Sequence, residues 1–340
     1  YDRAISDFNK ALEINPRYAY AYDNRGMAYG DKGQYDQAIS DFNKALEINP
    51  RFAYAYSNRG IAYRRKGQYD QAISDFNKAL EINPRYAYSY NHRGIAYWDK
   101  GQYDQAISDF NEALEIGSRY AEAYNNRGMA YRDKGQYDQA ISDFNKALEI
   151  NPRFAEAYNN RGNAYKDKSQ YDRAISDFNK ALEISPRFAE AYYNRGIVYW
   201  DKDQYDQAIS DFNKALEINP RYAEAYNNRG IAHRRKGQYD QAISDYNKAL
   251  EINPRFAYAY NNRGNAYKDK GQYDQAISDY NKALEINPRF AEAYDNRGRA
   301  YYLKGEYDKS WGDIKKAQDL GYKIPPKFLD DLRKASGKPN

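Results

Sequence analysis

The sequence has no cysteine, only two histidines and a single valine, Val198, and its other aliphatic residues are sparse. The absence of cysteine excludes disulfide bonds, thiol nucleophiles and cysteine-ligated zinc. Two histidines are too few for the common metal clusters, and no apolar run approaches the roughly 18 residues of a membrane span. With a mean hydropathy of −1.11, the chain is poor material for an ordinary globular core.

Tyrosine is what the chain has in abundance, with 40 copies, while the net charge is only +5. Disordered chains with few aliphatic residues normally also carry a high net charge. Tyrosine, in addition, can bury much of its area while its hydroxyl stays in water. We therefore expect a folded chain that is organised by something other than one aliphatic core.

An internal repeat supplies that organisation. The string Ala-x-Ala-Tyr-x-x-Arg-Gly begins at Ala19 and again at Ala53, and it returns at this same interval up to Ala291, with one variant at Ala87. The period predicts residues 1–18 as the second helix of a truncated repeat, 19–324 as nine repeats, and 325–340 as a C-terminal capping helix and tail. The predicted repeats are 19–52, 53–86, 87–120, 121–154, 155–188, 189–222, 223–256, 257–290 and 291–324. Places within a repeat are numbered from its first alanine.

Each repeat is predicted to form two helices. In the first repeat, Tyr22, Gly26 and Tyr29 share one face of a helix near residues 19–32, and a second helix follows near 36–48. Gly26 leaves room for the close approach of the paired helix. The segment 1–18 lacks such a partner, so we expect its apolar face to be covered by a longer chain or by a neighbouring molecule.

The turn between the two helices is also predictable. Gly33 stands where a residue with left-handed backbone is expected, and Asp36 is suited to cap the second helix. Ser169 and Asp203 replace this glycine in two later repeats. A side chain disfavours positive φ, so both replacements are expected to reduce the stability of their turns.

These residues resemble the tetratricopeptide repeat (TPR) family. The family pattern of aromatic-x2-Leu-Gly-x2-Tyr, Ala-x3-Phe and Pro is matched at Tyr22, Gly26, Tyr29, Ala38, Phe42 and Pro50. The resemblance implies an all-α, right-handed superhelical solenoid of antiparallel helix pairs, with a concave groove lined by the first helices. Arg replaces the family's Leu at place 7 in all nine repeats, and Asp stands at place 23 in each. We hypothesise one Arg–Asp bridge per repeat, because a guanidinium between helices needs a carboxylate partner.

An asparagine row is the main candidate for ligand contact. Place 6 is polar yet nearly constant, and an amide offers both a donor and an acceptor to a peptide backbone. In some TPR proteins an Asn ladder at this place holds an extended peptide, and the resemblance implies a similar use. The alternative is that each Asn bonds only the adjacent helix. The predicted peptide-binding asparagines are Asn24, Asn58, Asn126, Asn160, Asn194, Asn228, Asn262 and Asn296, and His92 interrupts the row.

Four variable residues are candidates for selecting ligand side chains. Place 12 carries Trp98, Trp200, Arg64 and Arg234 on the same helical face. Exposed Trp often dominates binding energy, and the arginines suit acidic ligand residues. The alternatives are that the Trp rings cover neighbouring tyrosines and that the arginines are merely solvated. The Lys that other TPR proteins use at place 5 to grip a C-terminal carboxylate is missing in every repeat.

Catalytic and nucleic-acid functions find little support. Gly-rich phosphate loops, zinc-protease motifs and nucleophile elbows are missing, and the carboxylates recur in register rather than forming one asymmetric site. His92 would be a lone general base and is interpreted as a substitution. Side chains at places 2, 5, 9, 12 and 13 carry a net charge of −5, which is unsuited to phosphate. We expect no enzyme activity, no cofactor, no metal, no membrane contact and no nucleic-acid partner.

The sequence therefore predicts a protein–protein interaction scaffold that binds an extended peptide segment of a partner. One alternative is a structural solenoid that self-associates end to end through the N-terminal half-repeat. The other is the substrate-recruiting region of a larger enzyme. Light scattering separates the first two, because only an assembling solenoid grows with concentration.

Overall fold

The computed structural model describes residues 1–337 and contains helices joined by short turns, with no strand in that range. It forms two compact units, Tyr1–Ile184 with helices α1–α11, and a second unit that begins at Ser185 and contains α12–α20. The helices of the first unit are α1 Asp2–Ile14, α2 Ala19–Asp31, α3 Tyr35–Ile48, α4 Ala53–Arg65, α5 Tyr69–Ile82, α6 Ala87–Asp99, α7 Tyr103–Ile116, α8 Ala121–Asp133, α9 Tyr137–Ile150, α10 Ala155–Asp167 and α11 Tyr171–Ile184. Those of the second are α12 Ala189–Asp201, α13 Tyr205–Ile218, α14 Ala223–Arg235, α15 Tyr239–Ile252, α16 Ala257–Asp269, α17 Tyr273–Ile286, α18 Ala291–Leu303, α19 Tyr307–Asp319 and α20 Pro326–Ser336. The predicted all-α array of helix pairs is confirmed.

Small residues and one aromatic ring hold each helix pair together. In the first repeat Phe42 is buried between α2 and α3, with Ala38 and Ala62 in the same cluster. A Cβ added at Gly26 would lie 2.7 Å from the Phe42 ring, so the ring packs directly on the backbone of α2. This contact recurs with Gly128 and Phe144. The core is therefore a row of small clusters, which explains how so few aliphatic residues suffice.

The turns confirm one prediction and correct another. Gly33 has φ +73°, and Ser169 and Asp203 adopt φ 58° at the same place of their repeats, as expected. Asp36 does not cap α3, because the helix begins at Tyr35 and places Asp36 inside the first turn. Its carboxylate instead accepts a hydrogen bond from Lys66 Nζ at 2.5 Å, which joins neighbouring repeats.

The last helix covers the end of the second unit. Leu332 of α20 is buried with Ile314 and Ala317 of α19. The Arg299 guanidinium of α18 lies 4.3 Å from the centre of the Phe328 ring. The predicted tail continues beyond the described residues, since positions 338–340 lie outside them.

Candidate functional site

The arginines at place 7 are structural. Arg127 Nε and Nη2 each donate to Asp143 at 2.7 Å, and Nη1 donates to Asn111 at 2.6 Å. One guanidinium thus joins α8 to α9 and to the preceding α7, and the hypothesis of an Arg–Asp bridge is confirmed. The same bidentate pairs are Arg25–Asp41, Arg59–Asp75, Arg93–Asp109, Arg161–Asp177, Arg195–Asp211, Arg229–Asp245, Arg263–Asp279 and Arg297–Asp313. Their positive charge is therefore unavailable to a ligand.

The opposite side of each first helix carries places 2, 5, 6, 9, 12 and 13, and we call it the variable face. The place-6 amides lie here and bond the neighbouring first helix. Asn126 Nδ2 donates to Asn91 Oδ1 at 3.0 Å, and Asn160 Nδ2 donates to Asn125 Oδ1 at 3.0 Å. Further pairs of this kind are Asn58–Asp23, Asn228–Tyr193, Asn262–Asn227 and Asn296–Asn261. The contact to the adjacent helix that the alternative interpretation predicts is thus present; whether the amides bond only that helix depends on their oxygens.

The carbonyl oxygens of several place-6 amides remain available. Four of these oxygens accept no hydrogen bond within residues 1–337 and are also not fully buried. They are Oδ1 of Asn58, Asn126, Asn160 and Asn262. These four residues are half-buried, Asn24 is exposed, and Asn194 and Asn296 are buried. Oδ1 of Asn228 accepts from Asn227 Nδ2 at 3.0 Å. The amide row therefore offers acceptors, while the bonds between helices commit one N–H of most of its Nδ2 groups.

A second row of contacts involves the predicted selectivity residues. Place 12 of one repeat donates to the aspartate at place 13 of the next. Arg64 Nη1 lies 2.9 Å from Asp99 Oδ2, and Trp98 Nε1 lies 2.9 Å from Asp133 Oδ2. In the second unit, Arg234 Nε lies 2.7 Å from Asp269 Oδ2. The polar ends of three predicted ligand contacts are thus paired within the protein.

Trp200 differs from its counterparts. It is half-buried and, with Ile197, Phe212 and Ile231, lines a pocket of about 250 Å³ in the second unit. Its Nε1 is buried and has no hydrogen-bond partner among the described residues. Of the four predicted place-12 residues, Trp200 is the one whose ring borders a pocket while its donor stays unused.

Aromatic side chains at place 2 dominate the variable face at the start of the first unit. Tyr20 and Tyr54 are more than half exposed, and Tyr88 is exposed to 40 %. Phe52 connects the first two, with ring centres 4.7 Å from Tyr20 and 6.2 Å from Tyr54. These rings line a pocket of about 460 Å³ that also includes Asn58. Sequence reasoning did not select these tyrosines, although Glu replaces Tyr at place 2 in most later repeats and the variation was visible.

His92 interrupts the amide row without a catalytic environment. Its ring lies 4.2 Å from Tyr88 and 6.3 Å from Phe76, centre to centre. Burial, and then repulsion from Arg64 and Arg65, lowers the pKa of His92 to about 3. A neutral ring with Nδ1 buried and unpartnered among the described residues is suited to packing.

The described part of the chain shows neither a cluster of metal ligands nor a helix that could span a membrane. Residues 1–337 contain no group of three or more acidic or histidine side chains arranged to hold a metal ion. None of the helices in this range combines the length and the apolar character that crossing a bilayer requires.

Three family models match the chain. One, described as tetratricopeptide repeat, matches residues 51–119 and 187–255; a second, described as TPR repeat, matches 26–67, 128–169, 162–203 and 264–305; a third, again tetratricopeptide repeat, matches 8–40, 110–142 and 245–278. Together they cover residues 8–305 with the spacing of the helix pairs described above. The chain belongs to the tetratricopeptide repeat family.

Several solved structures are similar to this chain, and the first two below share its fold. The Cut9–Hcn1 hetero-tetramer of the APC/C matches 88 % of this chain with a TM-score of 0.63 and 20 % identity, and this chain spans 58 % of the matched one. A tetratricopeptide repeat protein from Parabacteroides merdae matches 74 % of this chain and 99 % of its own, with a TM-score of 0.56 and 24 % identity. MamA is 34 % identical over 48 % of this chain and 96 % of its own, with a TM-score of 0.45. No curated protein matches the sequence.

Proposed function

We propose that this protein is a non-catalytic interaction scaffold that binds an extended segment of a partner protein along the variable face. The observation that carries the proposal is the row of amide oxygens at Asn58, Asn126 and Asn160, which have no partner within the described residues. Such oxygens accept hydrogen bonds from the N–H groups of a peptide backbone. Carboxylates that recur in register, rather than in one asymmetric cluster, support the absence of catalysis.

The exposed tyrosines beside this row supply the apolar part of the interface. Interfaces are enriched in Tyr because it offers a large, rigid contact area with a polar tip. Tyr20, Tyr54 and Tyr88 present such area next to Asn58. Backbone contact by amides and side-chain contact by aromatic rings together fit an extended peptide. Cut9, whose fold this chain shares, is itself seen in a complex with Hcn1.

Two double variants separate ligand contact from structural loss. N126A/N160A and N91A/N125A break the same two hydrogen bonds between first helices. Only the first removes the two available amide oxygens. Linear peptides selected by display from a random library serve as ligands, and their affinity is measured by calorimetry.

We expect N126A/N160A to weaken the peptides by about 1–3 kcal/mol, because each hydrogen bond nets about 0.5–1.5 kcal/mol. That is about 5- to 150-fold in Kd. N91A/N125A retains most of the affinity, and circular dichroism confirms that both variants fold. Equal losses in the two variants contradict a backbone-reading role, and a library that yields no binder contradicts the scaffold itself.

Self-association is the alternative function, and helices α1 and α20 bear on it differently. Ala4 of α1 is exposed and Phe8 is half-buried, whereas the equivalent Phe76 is fully buried. In the second unit, α20 covers α19. Head-to-tail growth needs two complementary open faces, so the covered face of α19 opposes it. A molar mass by light scattering that rises with concentration would favour assembly over the scaffold.

A further inference from the structure

A break in the row of place-12 contacts at Trp200 points to a specific ligand. Trp98 Nε1 donates to Asp133, the place-13 residue of the next repeat, at 2.9 Å. Trp200 occupies the same place three repeats later, but the residue that corresponds to Asp133 is Arg235. Trp200 Nε1 is accordingly buried without a hydrogen-bond partner among residues 1–337. At this repeat the donor, Trp200 Nε1, is present, but the aspartate that would accept its hydrogen bond is not.

An unpaired buried donor is costly. Leaving such a group unsatisfied destabilises a protein measurably, and native structures contain few of them. Arg235 cannot relieve it, because a guanidinium has donors and no acceptor. It also brings a positive charge to the place where the neighbouring repeats carry a carboxylate, as Asp269 does beside Arg234. The position therefore lacks one negatively charged acceptor.

The Trp200 side chain also borders a pocket, whose lining does not include the exposed Arg235. It measures about 250 Å³, and Ile197, Phe212 and Ile231 form its apolar walls beside Trp200. Sites for small molecules usually measure about 300–1,000 Å³, so this pocket suits a single side chain better than a cofactor. Asp201, which also borders the pocket, is engaged in an interaction of its own.

We propose that the pocket binds a glutamate or aspartate side chain of the partner segment. The partner's carboxylate accepts a hydrogen bond from Trp200 Nε1 and pairs with Arg235, taking the place that Asp133 holds at Trp98. The methylene groups of the same side chain lie against Ile197 and Ile231. This inference rests on the proposed function and adds the chemical class of one ligand residue.

A comparison within the chain supports the assignment to this repeat alone. Place 13 also lacks a carboxylate at Arg65 and Leu303, but the preceding place-12 residues are Gly30, which supplies no donor, and Lys268, whose Nζ donates to Asn265 Oδ1 at 3.3 Å. Arg64, Trp98 and Arg234 each have their own aspartate. Only Trp200 therefore combines an unused donor, a missing carboxylate and an apolar pocket within the described residues.

The first test observes the Trp indole N–H groups by NMR in the full chain labelled with ¹⁵N-tryptophan. The probes are acetyl-Leu-Glu-Leu-amide and its Gln counterpart, and W200F assigns the signal. We expect the Glu peptide to move the Trp200 signal downfield and to bind at least about tenfold tighter than the Gln peptide, since hydrogen bonds to a charged acceptor are the stronger ones. The signals of Trp98 and Trp311, which already donate to Asp133 and Ser336, should not move.

Two reciprocal substitutions make the test specific. R235D supplies the missing carboxylate from within, so we expect the Trp200 signal to lie downfield without ligand and Glu binding to be lost. D133R removes the carboxylate beside Trp98, and we expect that signal to become responsive to the Glu peptide. R65D makes the same change of charge where place 12 is Gly30, and it should leave Trp200 binding unchanged.

Either of two results overturns the inference. The first is an equal response of Trp200 to the Glu and Gln peptides, and the second is undiminished Glu binding by R235D. Both leave the scaffold function intact if display-selected peptides still bind and still depend on Asn126 and Asn160. A chain that binds no linear peptide in either experiment overturns the proposed function as well.

Discussion

Removing the carboxylate of Asp143 should reveal how strongly one arginine holds three helices together. The Arg127 side chain is 19 % exposed and that of Asp143 is 6 % exposed. Two hydrogen bonds of 2.7 Å join the guanidinium to the carboxylate. Taking one partner from a buried ion pair costs about 3–5 kcal/mol, because the other charge stays buried without compensation. Arg127 is partly hydrated and lies over the rings of Tyr124 and Tyr131. We therefore expect D143A to lower the free energy of unfolding by about 3 kcal/mol.

Urea titrations followed by far-UV circular dichroism measure this loss. Urea is preferred to guanidinium chloride because it does not screen charges. Repeat arrays do not unfold in one step, so a nearest-neighbour model should be fitted to the curves. The control is E81A, which breaks an exposed ion pair with Lys78 and should cost far less than D143A.

The double variant R127L/D143A tests the physical cause. Replacing both members of a buried pair with apolar residues is often close to neutral, so we expect it to lie within about 1 kcal/mol of the native chain. A loss in D143A no larger than that in E81A would refute the reasoning. So would a double variant that is as unstable as the sum of its two single variants, because the charges would then act independently.

Two further predictions concern His92 and the helix glycines. The pKa of His92 is lowered in the fold, so the unfolded chain binds the proton first and stability falls as the pH drops from about 6.5 towards 3. Urea unfolding at pH 7 and pH 5 should show native stability decreasing by about 1–2 kcal/mol more than that of H92N; parallel losses would count against this. G128A should cost about 1–3 kcal/mol, because its Cβ would meet Phe144 at 2.7 Å. G30A, which has open space and helical backbone, should gain about 0.5–1 kcal/mol in the same assay, and a loss there would contradict the packing explanation.

The helix pairs and the Arg–Asp bridges could be predicted because both depend on relations within one repeat. The spacing of Tyr22, Gly26 and Phe42 alone predicts how the two helices of a repeat pack against each other. Arg127 and Asp143 stand at places that are Arg and Asp in every repeat, and two opposite charges between helices are stable only when they pair. The positive φ of Ser169 follows in the same way from the glycines it replaces.

Beyond the alternative that each place-6 Asn bonds the adjacent helix, the partners in contacts between repeats were not predicted, because most of these contacts join residues about one repeat apart across helices whose offset the period does not give. Asn126 bonds Asn91, and Trp98 bonds Asp133, each over 35 residues. A comparison of place 12 with place 13 of the next repeat would have shown a donor followed by an acid. Asp36 lies inside α3 rather than at its cap because the helix begins at Tyr35, one residue before the predicted start near residue 36.

The short connections between helices have a consequence for how this chain finds its fold. Adjacent repeats offer nearly identical docking surfaces, so recognition alone does not tell a correct neighbour from one displaced by a whole repeat. The segment between α3 and α4 contains four residues, 49–52, and reaches about 15 Å when extended. A helix pair further along the stack lies roughly 20 Å away at usual helix spacings. Tether length therefore sets the register within one molecule. Between two molecules no tether acts, and the same surfaces become interchangeable, so exchange of repeats between chains should increase with concentration during refolding.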